Sequence, residues 1–339
     1  MSWAIWITGR PGSGKSALAR ATAVALRALG EPVTVLELDD IHRTLAPGPP
    51  GSDHERELVH RALTQVAVTV VREGVPVIVD GTADQRAWRD AARALIPRFA
   101  EVLLIGNASG GSGADLYELP LTPELYLDIA GRSSDTVAAE VVELARRFAA
   151  ETAPRRGLGR GGCVIWIAGR PGSGKTTLAR GVGAMLAAED VPVVVLELAP
   201  FRHALQPPAR GVTGLTEDVA HRAIICAAKV LVGAGLTVIV DAATPRRAWR
   251  ELARRTISAF AEVQLICPSE VSIEREWAER WKPAEPPKPY SPPEVYPDYE
   301  EPATPDVIVN TYAVGRVSAV RQVVEMARRL ARSSRGEPT

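Results

Sequence analysis

The chain is poor in cysteine: Cys163, Cys226 and Cys267 are the three in 339 residues, with neither paired nor metal-ligand spacing. That argues against a disulfide framework and a zinc site. It also lacks an excess of charge, with Lys+Arg and Asp+Glu at 40 each. General nucleic-acid and membrane-surface binding draw on surplus positive charge, so neither partner class is expected. No apolar run reaches the roughly 18 residues of a membrane span. The opening Met1-Ser-Trp-Ala-Ile-Trp-Ile-Thr-Gly-Arg10 carries no basic leader. Hydrophobic residues make up 46% of the chain, enough for a real core. The expectation is a cytoplasmic, globular protein of about two domains at roughly 150 residues each.

What is present is a repeat. Residues 6–20 read WITGRPGSGKSALAR and residues 166–180 read WIAGRPGSGKTTLAR, identical at twelve of fifteen positions. VTVLEL (33–38) returns as VVVLEL (193–198), and the segment 77–102 returns at 238–263. YELPLTPELYLD (117–128) returns as YEEPATPDVIVN (299–310), now at an offset of 182 rather than 161, so the second copy carries about 21 additional residues before it. The Gly-, Pro- and Arg-rich stretch 151–162 reads as the linker. This divides the chain into domains 1–150 and 163–335.

Each copy alternates short apolar runs with helical patterns. In the first, 3–8, 33–38, 77–80, 101–105 and 125–128 read as buried strands, and 15–29, 55–72, 84–98 and 133–149 as helices. Alternation of this kind predicts an α/β fold, each copy a parallel sheet flanked by helices.

The strongest motif occurs twice. Gly9-Arg10-Pro11-Gly12-Ser13-Gly14-Lys15-Ser16 and Gly169-Arg170-Pro171-Gly172-Ser173-Gly174-Lys175-Thr176 both fit G-x-x-x-x-G-K-[ST], each between a strand and a helix. Such a loop turns its amides inward around phosphate oxygens at a helix N-terminus. Lys15 and Lys175 are expected on the β/γ-phosphates of ATP, and Ser16 and Thr176 on Mg²⁺. Asp80 and Asp241 end the run Val-Ile-Val and fit two roles: a Walker-B-like aspartate holding Mg²⁺ through water, or a cap on the following turn.

These residues resemble the adenylylsulfate (APS) kinases, P-loop enzymes that phosphorylate the 3′-hydroxyl of adenosine 5′-phosphosulfate and usually act as homodimers. The resemblance rests on the phosphate loop, on the segment after the second strand, on an Arg-x-x-Arg segment after the third, and on the Tyr-Glu-x-Pro stretch near 117 and 299. It implies two tandem P-loop NTPase domains of kinase type, with Asp39 the catalytic aspartate, working with Lys15. It also implies that Arg43, Arg56, Arg86 and Arg89 contact the substrate, as does Arg202 in the second copy. Asp40 and His42 depart from the family pattern, as does Ala83-Asp84 where the family has Ser-Pro. In the second copy Ala199 stands at the aspartate position and Glu217 at that of Arg56, while Thr244-Pro245 with Arg247 and Arg250 fits well.

The family's basic lid after the fourth strand matches 268–299 in the second copy, including Arg275, Trp277, Arg280, Trp281 and Lys282. The first copy has Gly106–Gly113 instead, without a cation. The first copy thus has the base and no lid, and the second a lid and no base. Three readings stay open. The tandem is an intramolecular counterpart of the homodimer in which the first copy catalyses; or the second copy's lid serves the first site; or neither site turns over and the chain is a nucleotide-binding regulator. A kinase for another small hydroxyl substrate shares the same loop. His42, His54 and His60 have no metal-ligand spacing, His60 and His221 read as interior hydrogen-bonded histidines, and Trp88 and Trp249 as packing anchors. The leading expectation is ATP-dependent phosphorylation of a small molecule in sulfate assimilation.

Overall fold

The computed structural model describes residues 1–46, 52–105, 117–152, 155, 158, 161–206, 214–280 and 299–334, with the backbone alone at 276, 277, 279 and 280. The first repeat runs β1 (Ala4–Thr8), α1 (Lys15–Ala28), β2 (Thr34–Glu37), α2 (Leu38–Leu45), α3 (Asp53–Arg72), β3 (Val77–Asp80), α4 (Arg86–Leu95), β4 (Phe99–Ile105), β5 (Leu125–Asp128) and α5 (Ser134–Ala150). Its strands form one parallel sheet in the order β2-β3-β1-β4-β5. The second repeat gives β6 (Cys163–Ala168), α6 (Lys175–Ala187), β7 (Val193–Glu197), α7 (Ala199–Leu205), α8 (Gly214–Gly233), β8 (Thr237–Asp241), α9 (Arg247–Thr256), β9 (Phe260–Ile266), α10 (Ser269–Arg280), β10 (Val307–Asn310) and α11 (Arg316–Ser334). Its sheet is also parallel, β10-β9-β6-β8-β7.

A parallel sheet covered on both faces needs strands without alternation. β1 and β6 are buried at every position. In the first sheet Trp3, Ile5 and Ile7 face α1 and α5, where Leu18, Leu26, Val137 and Val141 complete one core. Trp6 faces the other way, tilted against Phe99, with its indole N–H donating to the Gly81 carbonyl at 3.1 Å. The second sheet repeats the plan, with Ile165 and Ile167 packed among Leu178, Val182, Val320 and Val323.

Compactness divides the chain differently from the expected 1–150 and 163–335. One unit holds Met1–Gly159 together with Ala199–Val230; the other holds Arg160–Leu198 and Leu231–Thr339. The reason lies in the helices. α3 buries Leu58, Val59, Ala62, Leu63, Val66, Ala67, Val70 and Val71, too wide an apolar surface for one sheet face to cover. α7 packs against it. α8 buries Val219 and Ala220, then Ala223, Ile224, Ile225, Cys226, Ala227 and Ala228 in succession. The second repeat's α7 and most of α8 therefore belong with the first repeat.

Other differences are smaller. α2 is a helix the strand–helix alternation does not announce. The expected helix 84–98 is trimmed to 86–95, and its start is set by Glu118, whose carboxylate accepts the Arg86 amide at 2.7 Å. The expected bridge 106–113 and the lid residues 281–298 lie outside the described residues, as do the side chains of Trp277 and Arg280. Among the described residues no helix is long and apolar enough to cross a membrane.

Candidate functional site

In the first unit the carboxyl ends of β1, β2 and β3 meet at one edge of the sheet, the usual ligand side of an open parallel sheet. The turn from β1 into α1 is the phosphate loop. Gly9 sits at φ +152°, where an added Cβ would lie 2.6 Å from the Leu104 carbonyl oxygen and 2.9 Å from Ser13 Oγ, so only glycine fits. Gly14, at φ +83°, then hands the chain to α1 and leaves the first-turn amides unshared. Lys15 is 8% exposed, and its ammonium donates to the Arg10 carbonyl at 2.9 Å.

Three groups expected from sequence converge on this loop. Burial pushes Lys15 below its ordinary value, while Asp80 and Asp39 pull it back up. Burial pushes Asp80 up, opposed by the Ser16 hydroxyl that hydrogen-bonds it and by the Lys15 charge. Asp39 occupies the first turn of α2, immediately past β2 and exposed. A hydroxyl and a carboxylate beside a phosphate cradle are the hard oxygen donors Mg²⁺ takes, usually with waters and phosphate oxygens completing the set. Ser16 and Asp80 fit that ion. Among the described residues no group of three or more His, Cys, Asp or Glu gathers as a metal cluster of its own.

The second unit carries the same loop. Lys175 donates to the Gly169 and Arg170 carbonyls at 3.0 and 2.9 Å, and Asp241 is pushed up by burial against its hydrogen bond with Thr176. Gly172, at φ +73°, is approached so closely by the start of α10 that a Cβ would stand 1.9 Å from the Ser272 carbonyl oxygen. On α10, within the stretch expected to form the lid, exposed Arg275 donates to Cys267 Sγ at 3.6 Å.

The arginines divide sharply. Arg43 pairs with Asp40. Arg56 pairs with Asp53 at 2.7 Å and Asp84 at 3.1 Å. Arg86 is part-exposed, its guanidinium 3.9 Å from Asp90. These three remain near solvent, able to exchange a protein carboxylate for an anionic ligand. Arg202 forms a two-pronged pair with Glu217, with Nε at 2.9 and 3.2 Å; the position that departs from the family pattern thus neutralises the arginine that fits it. Arg89 corrects the expectation of a substrate contact. It is 0% exposed and donates to Glu101 at 2.6 Å, to the Glu118 carbonyl at 2.5 Å and to the Ala83 carbonyl.

That correction explains the Tyr-Glu-x-Pro stretch, which is a framework. Tyr117 shares a 2.8 Å hydrogen bond with Thr8 and lies under Arg89, 5.2 Å from its ring centre. Glu124 accepts the Glu101 amide at 2.6 Å and pairs with Arg93. The second repeat builds the same strut from Arg250, Glu262, Glu300 and Asp306.

Sequence reasoning missed two features. Arg20 on α1 grips Glu37 at the end of β2 at 2.8 and 2.5 Å, tying the loop's helix to the strand that leads into Asp39. His60 stacks on Trp88, centroids 4.0 Å apart and 18° from parallel. Its Nδ1 has no hydrogen-bond partner among the described residues, unlike that of His221, which meets the Glu217 carbonyl at 2.9 Å. Burial pushes His60 down to about 3. The first could have been found only as a long-range ion pair; the repeated His and Trp positions did hint at the second.

Against known proteins, the adenylylsulphate kinase family model matches residues 1–109 and again 161–310. A probable adenylyl-sulfate kinase of Archaeoglobus fulgidus is 34% identical over 149 residues, 38% of this chain and 96% of that protein. One from Pyrococcus abyssi is 32% identical over 165 residues, 42% of this chain and 95% of that protein. A solved Mycobacterium tuberculosis APS kinase in complex with AMPPNP and APS aligns at 25% identity over 43% of this chain and 98% of that one, TM-score 0.39.

Proposed function

The chain belongs to the adenylylsulphate kinase family, and from that premise we propose that its first repeat transfers the γ-phosphate of ATP to a hydroxyl, the 3′-hydroxyl of adenosine 5′-phosphosulfate. Family membership makes it an ATP-dependent phosphotransferase; the acceptor and the assignment to one repeat are our reading. The observation that carries it is the meeting of Lys15, Ser16, Asp80 and Asp39 around one phosphate loop in one compact unit. The second repeat has the loop but Ala199 in place of the aspartate.

In this reading the loop amides and Lys15 bind the phosphates and fix their orientation. Ser16 and Asp80 would hold Mg²⁺, which would supply positive charge beside the phosphates. Asp39 accepts the acceptor hydroxyl's proton as the phosphoryl group moves. Arg43, Arg56 and Arg86 receive the acceptor's anionic groups, each giving up a carboxylate partner to do so. The second repeat serves as scaffold, the tandem standing in for a homodimer; the packing of α7 against α3 supports this. The reading also places the chain in sulfate assimilation in the cytoplasm.

Asp39→Asn tests it. Losing a positioned base should lower acceptor-dependent phosphorylation by about 10²–10⁴-fold while ATP binding stays within twofold. Unchanged turnover would remove Asp39 from the mechanism.

A further inference from the structure

We propose that Arg222, on α8 of the second repeat, is a positioning residue for the first repeat's reaction: it braces α2, and through α2 it fixes Asp39. Within the first compact unit, Arg222 Nη1 donates to the Thr44 carbonyl at 3.0 Å. Its Nε is held by Asp218, one helical turn back, at 2.6 Å. Thr44 lies in the last turn of α2, where carbonyls have no partner inside the helix and where a guanidinium also meets the negative end of the helix dipole. Cys226, one turn further along α8, is buried beside the Thr44 side chain.

α2 needs this support. It has eight residues, whereas isolated helices below about 12–15 residues are marginal in water. Its N-cap Glu37 makes no side-chain capping bond. Ile41 and Leu45 anchor one face, which leaves rotation and sliding about that face to be fixed by the ends. Asp39 stands five residues from Thr44, about 7.5 Å along a helix, so movement at the braced end reaches the carboxylate directly. The brace runs in one direction. Arg61, at the position in α3 that corresponds to Arg222, donates to Glu57 on its own helix at 3.0 and 2.7 Å. The repeat that lacks the aspartate thus supplies the contact, and the repeat that has it receives it.

The catalytic consequence rests on the reading of Asp39 given above; the brace does not. The test therefore uses two readouts on the full chain, with Arg222→Met removing the donors and Arg222→Lys keeping one. Amide hydrogen exchange should rise at least tenfold across residues 38–46 in Arg222→Met, with α1 and α3 unchanged, and fall back in Arg222→Lys. With adenylylsulfate as acceptor, kcat should drop about tenfold, the KM for ATP should stay within twofold, and Arg222→Lys should recover part of the loss. Exchange in α2 equal to wild type would overturn the brace, as would exchange raised uniformly across α1, α3 and α8, which is what a general packing role would do. Local loosening of α2 in a protein with no turnover in any form would uphold the brace and overturn the assignment of Asp39. Loosening without a kcat change in an active enzyme would overturn the positioning role.

Discussion

Replacing Arg89 by Met separates a structural arginine from a ligand-binding one. The guanidinium is wholly buried and has three protein acceptors: Glu101, the Ala83 carbonyl and the Glu118 carbonyl. Methionine fills much of the volume and donates nothing. Glu101, 3% exposed, would keep only Arg93 at 3.5 Å. Removing one partner of a buried pair costs about 3–5 kcal/mol. Two stranded carbonyls push toward the upper figure and the surviving Arg93 toward the lower. At roughly 2–4 °C per kcal/mol for a domain of this size, the midpoint should fall by about 6–20 °C. Thermal unfolding followed by circular dichroism measures this. Below the new transition, the KM for ATP and for the acceptor should match wild type. Arg86→Met is the control: its side chain is 39% exposed, so stability should move by no more than about 0.5 kcal/mol and the acceptor KM should rise. Wild-type stability for Arg89→Met together with a raised acceptor KM would refute this assignment.

His60 makes stability depend on acidity. Its folded value lies near 3, below the unfolded value of about 6.5, so the unfolded chain binds the extra proton between these limits. Its contribution is complete above pH 6.5 and is lost as pH falls toward 3, by up to about 1.4 kcal/mol per pH unit. Urea unfolding of wild type and His60→Phe should show wild type losing stability relative to the variant as pH falls from 6.5 to 4.5; parallel profiles would contradict the assignment. The glycines of the second loop should respond unequally to alanine. Gly174, at φ +95° with nothing within 4 Å of an added Cβ, should lose about 1–2 kcal/mol from its left-handed backbone alone. Gly172→Ala should lose clearly more in the same titration, because α10 must move; equal losses would mean that α10 does not press on the loop.

The fold was legible because its signals are local. Twelve identities in fifteen around each phosphate loop, with strands alternating with helices, announced a repeated parallel α/β unit, and β3 and β5 fall on the expected 77–80 and 125–128. What stayed hidden depends on distant partners. α2 is short and owes its order to buried Ile41 and Leu45 and to Arg222, 178 positions from the Thr44 it contacts. The grouping of α7 and α8 with the first repeat follows from apolar surface on α3 that no periodicity assigns to a partner. At the site, Lys15 and Ser16 could be named from the spacing of the phosphate-loop motif, and Asp80 from its place at the end of the Val-Ile-Val strand. Arg86 and Arg89 look alike in an Arg-x-x-Arg segment; three residues of helix rotation place one near solvent and the other buried over the Tyr117 ring.

Acceptor-dependent ADP release by the full chain with Mg-ATP is the most direct measurement of the central claim, made with and without adenylylsulfate in wild type, Lys15→Ala and Lys175→Ala. Phosphoryl transfer in the first repeat predicts release that requires adenylylsulfate, is abolished by Lys15→Ala and largely survives Lys175→Ala. Release that survives Lys15→Ala and is lost in Lys175→Ala would contradict the assignment to the first repeat. ATP binding without adenylylsulfate-dependent release in any of the three would contradict the acceptor.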